Sequence, residues 1–361
     1  MLDFTSALYL GLQHPSVSLA PWEAITLGRP AVLSDPPQAE AVAGELARLQ
    51  GCEAATLLPS TLHLFWDLFA VLGGKRRAIV CDAGLYPIAR WGVERAACTG
   101  TQVENFPHHS VAALQRILDR LARTRVTPIV VTDGYCPSCG RPAPIRLYAD
   151  LVGRAGGYLV IDDTQALGVL GEAPTKAHPY GIGGGGSLRW HQAFGPHVVV
   201  GSSLAKGFGA PLAALSGSRA LIERFVDRSE TRLHCSPPSV AAIHAARRAL
   251  HVNRTHGDGL RRKLLELVLR LRRVLRAAGL VPASSFPFPV QSFCADRPPL
   301  LARVFRWLSS CGVQALITRG CKAVGESVTF LLTARHDLAD IDVIAGAAAV
   351  AGRARALARA A

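Results

Sequence analysis

Acidic residues are in short supply. The 361-residue chain has 26 Asp and Glu against 40 Lys and Arg, a formal net charge of +14. Such a balance favours anionic partners such as phosphates or acidic substrates. The arginines are spread out, densest around Arg261, Arg262, Lys263, Arg270, Arg272 and Arg273 and in the tail from Arg353 to Arg359. That spread reads as solvated helix faces, and no nucleic-acid-binding motif is present. No apolar run approaches the ~18 residues needed to cross a bilayer; the best stretch, Ile344 to Ala351, is short and rich in Ala and Gly. The start, Met1-Leu2-Asp3-Phe4-Thr5, has no basic region of a secretory signal. The expectation is a cytoplasmic protein with no membrane or nucleic-acid partner.

The nine cysteines form no paired framework. An odd, scattered set predicts reduced thiols. Cys136-Pro137-Ser138-Cys139 has metal-type spacing, but no second such pair completes a tetrahedral site, so no metal is expected. The pair reads as a loop with two incidental thiols, with a redox role as the alternative. The glycine run Gly181 to Gly186 lacks the Lys-Ser/Thr ending of a phosphate-binding P-loop.

What is present is a series of short apolar runs alternating with helical patterns. Leu57-Leu58, Ala78 to Cys81, Pro128 to Val131, Tyr158 to Ile161 and Val198 to Val200 read as strands. Gln38 to Leu49, Leu62 to Leu72, the run after Ser110, and Ala149 to Ala155 read as helices. Alternation of this kind predicts an α/β fold with a mostly parallel sheet. A long helical region from Ser239 through Leu275 reads as a buried bridging helix. After it, the proline-rich stretch Pro282 to Pro299 marks entry to a smaller α+β unit, with Val328 to Leu332 as a strand and Asp337 onward as terminal helix. The expected division is an N-terminal segment 1–35, a large domain 36–249 and a small domain 250–361.

Ligands of such sheets sit beyond the carboxyl ends of the strands. Asp133, Asp162 and Lys206 all follow strand ends. A lysine desolvated there can lose its proton and act as an amine nucleophile. Ser60-Thr61 at a helix start makes an anion cradle or an ordinary cap. Ser202 and Ser203 precede the lysine. Tyr86 follows a strand end and reads either as a ring-stacking aromatic or as core.

Several stretches together resemble the fold-type I pyridoxal-phosphate enzymes, in particular the α-oxoamine synthase branch. They are Tyr9-Leu10-Gly11-Leu12; Val131-Thr132-Asp133-Gly134 with Gly140 and Ala143-Pro144; Asp162-Asp163-Thr164-Gln165 running on to Gly171; Ser203-Leu204-Ala205-Lys206-Gly207; and Leu332-Thr333-Ala334-Arg335-His336. The resemblance implies pyridoxal 5'-phosphate as cofactor and Lys206 as its Schiff-base lysine. It implies Asp162 at the pyridinium nitrogen, Tyr86 against the ring, and Gln165 where the family has a histidine near the phenol oxygen. Ser60, Thr61 and Ser203 would bind phosphate, with Ser202 beside them and Asp133 at the same site. Asp162, Lys206 and Tyr86 form the implied catalytic set.

The implied activity is condensation of an amino acid with an acyl-CoA or acyl-carrier-protein thioester, in a homodimer. Aminotransferase, aldolase or decarboxylase activity on the same fold is the alternative, and a non-catalytic relative a further one. The family's carboxylate-binding arginine is replaced near Ser327 and Thr329, with Arg319 a candidate substitute.

Overall fold

The computed structural model describes residues 1–294, 298–319 and 326–347. The chain divides into a larger unit, 12–135 with 142–256, and a smaller one built from 1–11, 136–141 and the chain from 257 onward.

In the larger unit the apolar runs become one seven-stranded sheet. Its strands are β1 (Ala54–Leu58), β2 (Arg77–Asp82), β3 (Gln102–Phe106), β4 (Thr127–Asp133), β5 (Tyr158–Asp162), β6 (Val198–Ser203) and β7 (Ala213–Gly217). They lie in the order β1-β7-β6-β5-β4-β2-β3. Strands β2 to β6 pair in parallel, and β7 runs antiparallel to both β6 and β1. Strands β3 and β7 escape the sequence pattern. Gln102-Val103-Glu104-Asn105-Phe106 is a polar edge strand, and Ala213 to Gly217 is made of small residues apart from Leu215.

Helices α1 (Ala39–Gln50), α2 (Thr61–Leu72), α3 (Pro87–Cys98), α4 (Val111–Arg123), α5 (Ile145–Arg154), α6 (Ser187–His191), α7 (Arg219–Arg228) and α8 (Glu230–His234) follow in chain order. Ser110 caps α4, its hydroxyl accepting from the Ala113 N–H at 3.3 Å. Helix α5 starts at Ile145, ahead of the expected Ala149.

Both sheet faces are covered, which is why the strands read as continuous apolar runs. Cys81, Val131, Val160 and Val199 pack with Leu64, Phe65 and Val93 of α2 and α3. The alternate residues Val80, Val130, Ile161 and Val200 pack with Leu114, Leu118 and Tyr148 of α4 and α5.

The division between units falls at His256–Gly257, inside helix α9 (Val240–Ala277), rather than at 249–250. Leu264, Leu265, Leu267 and Leu271 of α9 are buried, whereas Leu269 is exposed, so the helix is buried on part of its circumference only.

The smaller unit carries helix α10 (Pro298–Ser310) and an antiparallel sheet ordered β8-β9-β11-β10. Its strands are β8 (Val281–Pro282), β9 (Val290–Cys294), β10 (Leu316–Arg319) and β11 (Glu326–Leu331). Residues 338–347 are helical; the expected Ala/Arg tail helix lies outside the described residues.

The first eleven residues are not part of a separate segment 1–35. Leu2–Asp3 pairs with Val313–Gln314, and the Ala334 N–H donates to the Tyr9 carbonyl at 2.8 Å. The early Tyr9-Leu10 and late Leu332-to-His336 motifs are therefore one structural feature. Among the described residues no helix is long and apolar enough to cross a membrane.

Candidate active site

The site is organised by sheet register. Asp133 and Asp162 are Cα partners at the ends of β4 and β5, and Asp162 is in turn the partner of Gly201 on β6. Side chains alternate along a strand. Asp133, Asp162 and Ser203 therefore share the face on which Val131, Val160 and Val199 pack against α2. Leu58, Ala213 and Ser203 form another register row, so Ser60 and Lys206 both lie just beyond the same sheet edge.

Asp162 is 6% exposed and Asp133 8%. Burial raises the pKa of both carboxyls. For Asp133 the neighbouring Asp162 adds to the rise and its shift is large, with Asp82 contributing in the same direction and His108 against it. For Asp162 the hydrogen bonds from Thr164 and the charge of Lys206 oppose the rise. The Thr164 N–H donates to Asp162 Oδ1 at 3.0 Å, and the Ser203 N–H donates to Thr164 Oγ1 at 3.0 Å. Thr164 thus joins Asp162 to the strand leading into Lys206. Sequence reasoning missed it, although a hydroxyl directly after Asp162-Asp163 was a usable signal.

The Lys206 pKa is lowered by burial, with Asp162 and then Asp133 acting in the opposite direction. Its Nζ lies 5.8 Å from the centre of the Tyr86 ring. Tyr86 is half exposed, precedes α3, and donates its N–H to Asp133 Oδ1 at 3.3 Å. Lysine amine, carboxylate pair and aromatic face therefore meet at one place, from four separate segments of the larger unit. This pairing can hold an amine in either protonation state.

Ser60 and Thr61 open α2. The Ser60 side chain makes no cap and instead meets His63 Nδ1 at 2.9 Å, leaving the first N–H groups of a twelve-residue helix without a side-chain cap. Ser203 Oγ accepts from the Ala205 N–H at 3.2 Å. Gln165 is partly buried and lies in the turn after Asp162.

Ser202 does not join this group. It points to the opposite sheet face, fully buried, and accepts from Gln50 Nε2 at 3.1 Å; Gln50 Oε1 accepts from Ser216 at 2.7 Å. The alternation of a strand forbids adjacent Ser202 and Ser203 from serving one site.

Asp163 also faces inward, accepting from the Ser187 N–H at 2.9 Å, and burial pushes its pKa up to about 7. Asp82 is a buried carboxylate held by the His108 ring at 2.5 Å and the His109 N–H at 3.0 Å; these bonds bring its pKa below the usual value against the effect of burial.

In the smaller unit, Thr329 Oγ1 lies 2.7 Å from Ser292 Oγ and 2.6 Å from Thr318 Oγ1, and Ser327 Oγ lies 3.2 Å from Cys294 Sγ. These hydroxyls hold the sheet together across its strands. Arg319 is exposed and faces Glu326 at 3.9 Å.

No family model matches the sequence. The chain is similar to 8-amino-7-oxononanoate synthase of Dechloromonas aromatica, 31% identical over 220 residues, 60% of this chain and 52% of that protein. It spans about half the length of that curated relative. Its fold matches the solved 8-amino-7-oxononanoate synthase of Francisella tularensis at TM-score 0.74 and 18% identity, covering 99% of this chain and 98% of that one. It also matches a variant serine palmitoyltransferase from S. paucimobilis solved with a PLP–myriocin aldimine, at TM-score 0.82 and 17% identity, covering 98% and 88%. The architecture is that of the fold-type I pyridoxal-phosphate transferases. Within that architecture, 220 residues of the sequence are similar to the curated 8-amino-7-oxononanoate synthase.

Proposed function

We propose that the chain is a pyridoxal 5'-phosphate-dependent acyltransferase that condenses an amino acid with an acyl thioester. One observation carries this reading: a partly buried lysine amine electrostatically coupled to two strand-end carboxyls and placed 5.8 Å from an aromatic ring. The donor set fits the cofactor. A carboxylate suits the ring nitrogen, an amine the aldehyde, a half-exposed tyrosine the ring face, and an uncapped helix start the phosphate. Asp162, Lys206, Tyr86, Ser60, Thr61 and Ser203 would hold the group, with Gln165 toward its phenol oxygen.

When bound, the cofactor supplies an aldehyde carbon for amines and an electron-withdrawing ring. The chain supplies the rest. Burial makes the Lys206 ammonium easier to deprotonate, so Nζ can remove the α-proton of an amino substrate and return it. Thr164 fixes the Asp162 carboxyl by donating to Oδ1. Tyr86 sets its ring 5.8 Å from Nζ while its N–H restrains Asp133.

The likeness to the 8-amino-7-oxononanoate synthase favours acyl transfer over transamination. The net charge of +14 suits a coenzyme-A or acidic carrier-protein donor. A homodimer in the cytoplasm completes the proposal.

The test supplies the protein with cofactor and measures coenzyme-A thiol release over a panel of amino acids and acyl thioesters. Release that needs both partners and disappears in Lys206→Ala supports acyl transfer. Conversion of the cofactor to its amine form with return by keto acids, and no thiol release, would replace it with transamination.

A further inference from the structure

The motif left unused by this chemistry is Cys136-Pro137-Ser138-Cys139. We propose that Cys136 and Cys139 are a redox-active dithiol that closes to a disulfide across its own turn. The inference concerns the smaller unit alone and is independent of the proposed reaction.

The turn is closed by the Gly140 N–H donating to the Cys136 carbonyl at 2.9 Å. The Cys139 N–H donates to Cys136 Sγ at 3.4 Å, and Cys139 Sγ lies 3.9 Å from the Cys136 carbonyl oxygen. Each cysteine thus lies against the other. Turn residues i and i+3 have Cα atoms within ~7 Å, overlapping the ~4.4–6.8 Å that a disulfide spans. The amide N–H directed at Cys136 Sγ favours the thiolate of that cysteine, the form that the second, intramolecular attack requires.

The turn is also fixed from outside. Ser284 donates its hydroxyl to the Gly140 carbonyl. Gly140 has φ +67, and a Cβ there would stand 2.4 Å from the Ser284 Cβ. A bond between the sulfurs can therefore form within a turn that is already held.

Accessibility sets the order of events. Cys139 is partly exposed and Cys136 buried. The Cys139 thiolate attacks one sulfur of a small disulfide such as oxidised glutathione, forming a mixed disulfide and releasing one glutathione thiolate. Cys136 gives up its proton and attacks the Cys139 sulfur, expelling the second thiolate. Two electrons pass from the protein dithiol to the small disulfide, and both released thiolates take up protons. Only the first attack needs an open path; the second is intramolecular.

The experiment equilibrates the full chain with glutathione mixtures of graded redox ratio, alkylates the remaining thiols and maps the peptides. The expected result is joint loss of alkylation at Cys136 and Cys139, with the peptide that spans them lighter by two hydrogens. Cys136→Ser should instead keep a lasting glutathione adduct on Cys139, and Cys139→Ser should leave Cys136 unmodified. The proposal is overturned if Cys139 remains glutathione-bound in the wild-type chain, or if either thiol joins a different cysteine. It is equally overturned if both stay alkylatable in mixtures that modify the exposed Cys98 and Cys311.

Discussion

Asp133 and Asp162 end neighbouring parallel strands as Cα partners, so two buried carboxyls stand side by side, both acting on the charge of Lys206. Two like charges so placed cannot both ionise easily, and one of them retains its proton more strongly. Asp133 is that one, because Asp162 and Asp82 both act to raise it, whereas Thr164 and Lys206 act to lower Asp162. Asp133→Asn should therefore preserve cofactor retention, while Asp162→Asn should weaken it at least ~10-fold. Equilibrium dialysis of cofactor against each variant reads the contrast, and equal losses would contradict this division of roles.

Lys206→Ala removes the amine that the site is built around. Activity should fall by ~10²-fold or more, and the visible absorbance of bound cofactor should vanish. Far-ultraviolet circular dichroism should stay unchanged, because the lysine side chain holds no structural hydrogen bond among the described residues.

Ser202→Ala should lower stability and spare cofactor binding; Ser203→Ala should do the reverse. The first leaves Gln50 Nε2 buried without its acceptor, at a cost of ~1–3 kcal/mol. Denaturant titration and cofactor titration together separate the two serines.

The buried Asp163 sets a pH dependence. Its folded pKa of about 7 lies above the ordinary 3.8, so the folded chain holds the proton more tightly than the unfolded chain. Its contribution is complete below about pH 4, is lost as pH rises toward about 7, and then stays level. Relative to Asp163→Asn, the wild type should lose up to about 1.4 kcal/mol per pH unit across that window. Denaturant melts of both proteins at several pH values check the difference, which cancels the other carboxyls.

Two glycines of one run should respond differently to alanine. Gly186 has φ +86, and a Cβ there would stand 1.9 Å from Asp163 Oδ2. Gly183 has φ +80 with nothing within 4 Å. Gly183→Ala should cost only the left-handed backbone term, ~1–2 kcal/mol. Gly186→Ala should cost more than that or prevent folding, as the melting temperatures of the pair would show.

How far the sequence could be read depended on the kind of signal. Strands β2, β4, β5 and β6 were legible because burial on both faces demands unbroken β-branched and apolar runs. Asp133, Asp162 and Lys206 were legible as positions because each follows such a run. Strand β3 was not, since an edge strand can be polar, and β7 was not, since Ala213 to Gly217 lacks any periodic signal. The antiparallel direction of β7 has no local mark at all.

By itself the sequence determined the buried parallel strands β2, β4, β5 and β6, and therefore which side chains stand at their ends, because burial and backbone period act within a few residues. Only the tertiary structure decided which of those side chains meet. It set Ser202 against Gln50 and Ser203 beside Thr164, aimed the Tyr86 N–H at Asp133, and tied Thr329 to Ser292 and Thr318. Register and sheet order join residues far apart in the chain, and no local pattern carries that information.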